Sequence, residues 1–342
     1  MRATERAGAA LQRVEDRVTP RFETLARLLL RAEGMASSYI EGVRAPAELA
    51  AVAEVDAEVV DATSALVADN LAVIDASLAH ARSGAALRTA DLHGWHTTLM
   101  AHGALPGELV GRYRRLQNWI GGATPREAAY VHPPAEHVSA LMRDLLAVAN
   151  AARLDPITQA AVVHAQFEAT IHTATATAGW GRVLIGWVLA RRTGVRVPPP
   201  VSVVMARETG GYLSGLTRWR HGDVAGWVSW MAEAVSRSAD QVVDLVAYAE
   251  DLRRRWEEQL AGMRSDAAAR RLVDLIPAHT VVTAPMVAEL LGVSGPAARA
   301  AVDALATRGI LQPLELRPTR PGRPPQWWMA GELLSVVSRW AR

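Results

Sequence analysis

One stretch limits the folds open to this chain more than any other: residues 164–192, HAQFEATIHTATATAGWGRVLIGWVLARR. It begins as a helix, with His164, Phe167, Glu168 and Ile171 on related faces. A Thr/Ala run then breaks the helical pattern, Gly179-Trp180-Gly181-Arg182 reads as a Gly-flanked turn, and a second apolar helix follows. A Gly-rich turn feeding a helix offers unpaired backbone N–H groups and the positive end of a helix dipole. Such a setting suits phosphate or another anion.

Two further blocks frame this stretch. RAEGMASSYIEG, residues 31–42, carries Ser37, Glu41 and Gly42 in an S/T-x-x-x-E-G pattern. GRYRRLQNWIGG, residues 111–122, is followed by AAYVHPP at 128–134. The core stretch matches at His164, Ala165, Phe167, Glu168, Ile171, His172, Gly179, Gly181 and Arg182. In residues and in order the three blocks resemble the Fic family, whose members mostly transfer AMP from ATP onto a protein hydroxyl. The resemblance implies an all-α fold, a Fic-like helical bundle with a small β-hairpin flap. It implies His172 as the base for the target hydroxyl, Arg182 as a phosphate holder, and ATP and Mg²⁺ as cofactors. It places the flap at Tyr130 and His132, with an edge that takes an extended peptide by strand addition. Glu41, on an inhibitory-type helix, would point into the nucleotide site and pair with the motif's second Arg.

The centre of the stretch departs from the family. His172 to Arg182 runs two positions longer than the motif, and counting back from Arg182 puts Ala174 where the His belongs. The acid that holds Mg²⁺ aligns with Ala178, the Asn of the motif with Trp180 and the second Arg with Ile185. A methyl group cannot hold a hard cation that wants oxygen ligands. Without that carboxylate and one Arg, a triphosphate has little to neutralise its charge. No metal site is therefore expected, and ATP and Mg²⁺ are expected only if AMP transfer is retained. The expected ligand site consists of Gly179, Trp180, Gly181 and Arg182, with the Thr175 and Thr177 hydroxyls able to bind polar groups. Trp180 reads either as a lid or stacking platform or as a hydrophobic plug in the old nucleotide pocket. Glu41 reads three ways: a relic on a solvated face, a carboxylate paired with Arg182 or another Arg, or an acid/base group facing His172.

With 342 residues the chain can form one large domain and a small one, and 50% apolar residues exclude a disordered-type composition. The absence of Cys rules out disulfides and thiolate metal sites and fits a reducing cytoplasm. No apolar run follows the charged start, and no charge-free stretch of about 18 apolar residues stands out, so a cytoplasmic protein without a membrane partner is expected. Every one of the 37 basic residues is Arg, yet the net charge of +2 does not announce nucleic acid.

In order, residues 1–90 read as an N-terminal helical region with the inhibitory-type helix, and 91–235 as the core. Residues 236–268 read as a linking helix suited to dimer formation, and 269–342 as a winged helix-turn-helix. Residues 1–33 have the spacing of an amphipathic surface helix ending near Gly34. His96 reads as a hydrogen-bonded core residue and His132 as a solvated loop residue. In the tail, Ser294 to Arg308 reads as a recognition helix and 311–329 as a wing bearing Arg317, Arg320 and Arg323. DNA is a partner only through this module, and a helix with Arg299 and Arg308 alone among many Ala is poorly equipped to read bases.

The residues lost and kept point first to an enzyme with altered, non-AMPylating chemistry on a small molecule or peptide. His172, Glu41 and Arg182 are its expected base, acid and anion holder. An AMP transferase and a catalytically dead DNA-binding regulator are the alternatives.

Overall fold

The computed structural model describes residues 2–17, 22–171, 178–264, 267–316 and 325–340. The chain starts with α1 (Ala3–Arg17), whose Ala7, Ala10, Leu11 and Val14 recur at helical spacing and are all buried. That stripe lies along α11 (Val224–Gln259), a helix of 36 residues and so roughly 54 Å long. Arg13–Asp240 at 2.8 Å and Arg6–Glu233 at 3.9 Å flank the seam, but both pairs are exposed and add little beside the buried stripe.

The single N-terminal helix expected to stop near Gly34 is two helices. The second, α2 (Phe22–Ile40), runs straight through Gly34. A Cβ there would lie 2.7 Å from Leu71 Cδ2, so this glycine serves close approach to α4 (Ala62–Ser83) rather than termination. The stop comes at Glu41-Gly42, where Gly42 takes φ 78° and the amide of Val43 donates to the Ser38 carbonyl.

Between α2 and α4 sits α3 (Ala47–Ala53). Asp61 caps α4 by accepting from the Ser64 amide at 2.9 Å, and left-handed Gly84 ends it. Among the described residues, α4 is the one helix long and apolar enough to cross a membrane by length and composition. It is not the charge-free stretch expected to be absent, since it carries Asp69 and Asp75, and here it is a packed helix of the bundle with Val67, Leu71, Val73 and Leu78 buried. After α5 (Thr89–Leu99), strands β1 (Trp119–Ile120) and β2 (Tyr130–Val131) pair antiparallel, with Trp119 opposite Val131. This is the expected hairpin.

Next come α6 (Ala135–Asn150) and α7 (Pro156–Ile171), the latter begun by Asp155 accepting from the Thr158 amide at 3.0 Å. Then follow α8 (Ala178–Thr193), α9 (Val201–Arg207) and α10 (Thr209–Arg220). Helices α7 and α8 form the centre, with α4, α6 and α11 around them. Helix α11 is continuous through 235 and 236, so the expected boundary between core and linking helix falls inside one helix.

The tail holds α12 (Ala268–Leu275), β3 (Val281–Thr283), α13 (Ala284–Leu291), α14 (Gly295–Thr307), β4 (Gln312–Leu314), β5 (Trp327–Met329) and α15 (Gly331–Trp340). Its three strands are antiparallel in the order β3-β5-β4. Thr283 and Ser294 cap α13 and α14, and left-handed Gly292 separates them, as their residue types dictate. The wing arginines Arg317, Arg320 and Arg323 lie outside the described residues. Helix α15 packs back on α2 and α3, and Arg31 of α2 bonds both Glu54, at 2.5 Å, and the Ala278 carbonyl, at 3.2 Å.

Trp227 ties three helices together. It is fully buried, stacks on Trp230 at 5.6 Å, and donates from its indole to the Ala161 carbonyl of α7 at 2.8 Å. Gly215 of α10 leaves room for it, since a Cβ there would lie 2.8 Å from the ring. Trp227→Ala therefore opens a large cavity and removes the bond that ties α11 to α7. Urea denaturation should show a loss of about 3–5 kcal/mol, and a loss under about 1 kcal/mol would contradict this role.

Candidate functional site

The site is built where α7 ends and α8 begins. His172, Thr175 and Thr177 lie outside the described residues, so the contacts are those of the residues on either side. Gly179-Trp180-Gly181-Arg182 is not a free turn but the first turn of α8. A Cβ on Gly181 would sit 2.2 Å from Glu168 Oε1 and 2.8 Å from Phe167 Cδ1, so glycine is what lets α8 meet α7 here. Trp180 turns inward and is 1% exposed, its ring 4.9 Å from His96 and edge-on to Phe167 at 5.2 Å. This is the arrangement of a plug rather than a lid.

Arg182, one turn on, is 2% exposed. Its Nε donates to Ser37 Oγ at 2.9 Å, and its Nη2 donates to the Ser37 carbonyl at 2.9 Å and to Glu41 Oε1 at 2.7 Å. Burial works to lower its pKa, but the charges of Glu41, Tyr212 and Glu168 outweigh burial and raise it. Of the three readings of Glu41, the ion pair with Arg182 is the arrangement found. Ile185, at the place of the second Arg, is buried apolar core. Nη1 of Arg182 is buried with no hydrogen-bond partner among the described residues.

Around this pair the polar groups converge. Asn70 donates to the Gly34 carbonyl at 3.0 Å and Ser38 Oγ at 3.1 Å, while its own oxygen is buried without a partner among the described residues. Ser37, Ser38, Glu41, Asn70, Met100 and Gly179 line a cavity of about 40 Å³. That space suits a water or a small inorganic group, whereas ligand-sized pockets run to roughly 300–1,000 Å³.

Below Arg182, His164 links α7 to α8 and α10. Its Nδ1 is 3.0 Å from the Gly181 carbonyl and its Nε2 3.0 Å from the Tyr212 hydroxyl. A carbonyl only accepts, so Nδ1 carries the proton and Nε2 accepts from Tyr212. Burial lowers the His164 pKa and keeps the ring neutral. Burial and the neighbouring Glu168 push the Tyr212 phenol up. Glu168 is buried at 3% exposure, 4.0 Å from His164 and near enough to Arg182, Arg220 and Tyr212 to bias their titration. Sequence reasoning gave Glu168 and Tyr212 no role in the site. The available signal was an acid on an otherwise apolar helix, four residues after a His.

The flap is tied to the last turn of α7. Tyr130 donates to the Ala169 carbonyl at 3.1 Å, and the Arg220 guanidinium lies 4.3 Å over its ring. His132, expected in solvent, is 1% exposed, with Nε2 3.3 Å from the Glu168 carbonyl. The correction follows from Arg114, which clamps the Pro133 and Thr170 carbonyls at 2.5 and 3.1 Å and draws the loop down onto α7.

Neither a protein-family model nor a curated protein matches the sequence. Solved structures do. A Fic family protein from Desulfovibrio desulfuricans G20 superposes with a TM-score of 0.58 at 21% identity, over 96% of this chain and 96% of its own. A Fic domain containing signaling protein from Bacteroides thetaiotaomicron VPI-5482 superposes with a TM-score of 0.60 at 14% identity, over 72% of this chain and 98% of its own. The fold is that of Fic proteins.

At these identities the likeness is one of fold, so the Fic site must be judged on the residues present. Among the described residues no group of three or more His, Asp or Glu is placed to hold a metal. Glu41, in the turn after α2, is engaged by Arg182, and residue 178, expected from the resemblance to align with the motif's acid, is Ala. The described donor set does not fit Mg²⁺.

His96, as expected, is a core residue: it accepts from the Gly111 amide at 2.8 Å and backs the Trp180 ring. Burial, helped by nearby His93, lowers its pKa from 6.5 to about 4. Its folded pKa lies below the unfolded value, so its contribution to stability is full above pH 6.5 and is lost as pH falls towards 4. The urea midpoint of wild type should therefore drop over this window, and His96→Gln should reduce that slope. An unchanged slope in the variant would contradict a neutral, buried His96.

Proposed function

We propose that this is a Fic-fold enzyme with altered, non-AMPylating chemistry, acting on a small molecule or peptide whose anionic group is held by Arg182. One observation carries the reading. A fully buried guanidinium, bound on two nitrogens by α2, keeps Nη1 without an acceptor among the described residues. A buried donor without an acceptor is costly, and a bound carboxylate or phosphate would satisfy it. The positive end of the α8 dipole favours the same charge.

Three features speak against a nucleotide there. The cavity that Arg182 itself lines is about 20 Å³, Trp180 fills the space between His96 and Phe167, and Ile185 stands at the place of the second Arg. On this reading His172 serves as the base for the bound substrate. Glu41 acts as the internal anion that the substrate displaces. The flap, fastened to α7 through Tyr130, His132 and Arg114, covers the approach.

The tail supports a second, accessory reading. Its order of helix, strand, two helices and two strands is compatible with a winged helix-turn-helix. Little on α14 suits base reading. Arg308 bonds the Gln259 and Ala304 carbonyls, Arg299 lies 5.4 Å over Trp328, and Asp303 is exposed. We read it as a domain that braces α2 rather than one that selects a DNA sequence.

Calorimetry tests the main reading. ATP with Mg²⁺ should bind wild type no more tightly than ATP alone. Glu41→Ala should bind inorganic pyrophosphate at least about tenfold more tightly than wild type, and Arg182→Ala should not bind it. A metal-dependent gain in ATP affinity would restore AMP transfer, and pyrophosphate binding that survives Arg182→Ala would remove Arg182 from the site.

A further inference from the structure

A second concavity lies on the outer side of the turn that carries Glu41. It has a volume of about 670 Å³ and is bounded by the end of α2, the start of α3 and the last turn of α15. This is the size of a small-molecule site, and it is far larger than the cavity of about 20 Å³ that Arg182 lines. Its floor is apolar, with Met35 and Val67, and its walls carry Tyr39, Arg44, Glu48 and Ser338.

Arg44 is the unusual member. Its guanidinium lies 4.5 Å over the Tyr39 ring, yet it makes no hydrogen bond or ion pair with any described residue. Glu48, on the same wall, is also without an ion pair among the described residues, so the two charges do not neutralise each other. A guanidinium stacked on an aromatic face is held in plane, while its N–H edge stays open for bidentate binding of a carboxylate or phosphate. Several other arginines near the core are spent: Arg31, Arg114 and Arg192 all bond to named acceptors. Arg44 is poised and unused, beside an apolar floor.

We infer that this groove binds a small organic anion, with its carboxylate or phosphate on Arg44 and its apolar or aromatic body over Met35 and Val67. The site is separate from Arg182 and does not depend on the enzymatic reading. Tyr39 and Val43, which line the groove, flank Glu41 in the chain, and the amides of Glu41 and Val43 both bond the Ser38 carbonyl. The groove and the Arg182 pair thus share one turn of backbone.

Ligand-observed NMR on the full chain tests this with phenyl phosphate and phenylacetate as probes. Inorganic phosphate and acetate serve as headgroups without a body. The two aryl anions should bind wild type, and the bare headgroups should bind at least about tenfold more weakly. Arg44→Ala, at an exposed position, should weaken the aryl anions at least about tenfold, as should Ser338→Trp, which fills the groove from α15. Arg182→Ala should leave their binding unchanged. The inference fails if wild type binds neither aryl anion, if Arg44→Ala binds them like wild type, or if inorganic phosphate binds as tightly as phenyl phosphate. Binding lost in Arg182→Ala but kept in Arg44→Ala would put the probes at the other site and overturn this one alone.

Discussion

A buried cation between two helices sets the terms for the rest of this molecule. Arg182 sits in the first turn of α8, inside the bundle, and a guanidinium cannot shed its charge there. Taking it out of water is costly unless donors find acceptors. Ser37 of α2 and Glu41 in the turn that follows supply them, and α2 must therefore pass close to α8. Gly34 allows that by letting α2 settle against Leu71 of α4, and Asn70 joins the two helices through the Gly34 carbonyl and Ser38. From below, Gly181 lets α8 descend onto Glu168, and His164 fixes the Gly181 carbonyl while accepting from Tyr212.

On the proposed function, this arrangement limits the chemistry open to the site. The carboxylate on Arg182 belongs to the chain itself. A substrate anion would have to displace Glu41 or add to the Nη1 edge. Either route would favour a compact anionic group over a metal-bound triphosphate, with Trp180 packed against His96 and Ile185 in the apolar core. The flap stays close by because Arg114 pulls the Pro133 and Thr170 carbonyls together, which buries His132 as a consequence.

Parts of this were legible in the sequence because they depend on neighbours in the chain. The stripe on α1, the Asp155 start of α7, and the Thr283, Gly292 and Ser294 punctuation of the tail are local rules written in adjacent residues. The helical bundle with its hairpin was legible through the three ordered blocks, whereas the Glu41–Arg182 contact was one of three readings that the sequence left open. What misled were residues whose role is set across the fold. Gly34 and the Gly179–Gly181 pair look like breaks, but the chain needs them for close approach of helices far apart in sequence. Trp180 reads equally as a lid or a plug until His96 and Phe167 close around it. His132 and Glu168 acquire meaning only once the flap is folded onto α7.

The most direct measurement is a crystal structure of Glu41→Ala grown in phosphate. The account predicts a phosphate bound to both terminal nitrogens of Arg182, with α2 and α8 in their present places and Trp180 still against His96. An empty site with the guanidinium turned to another protein acceptor would contradict it, for then Glu41 would be a packing partner of Arg182 and not a stand-in for a ligand.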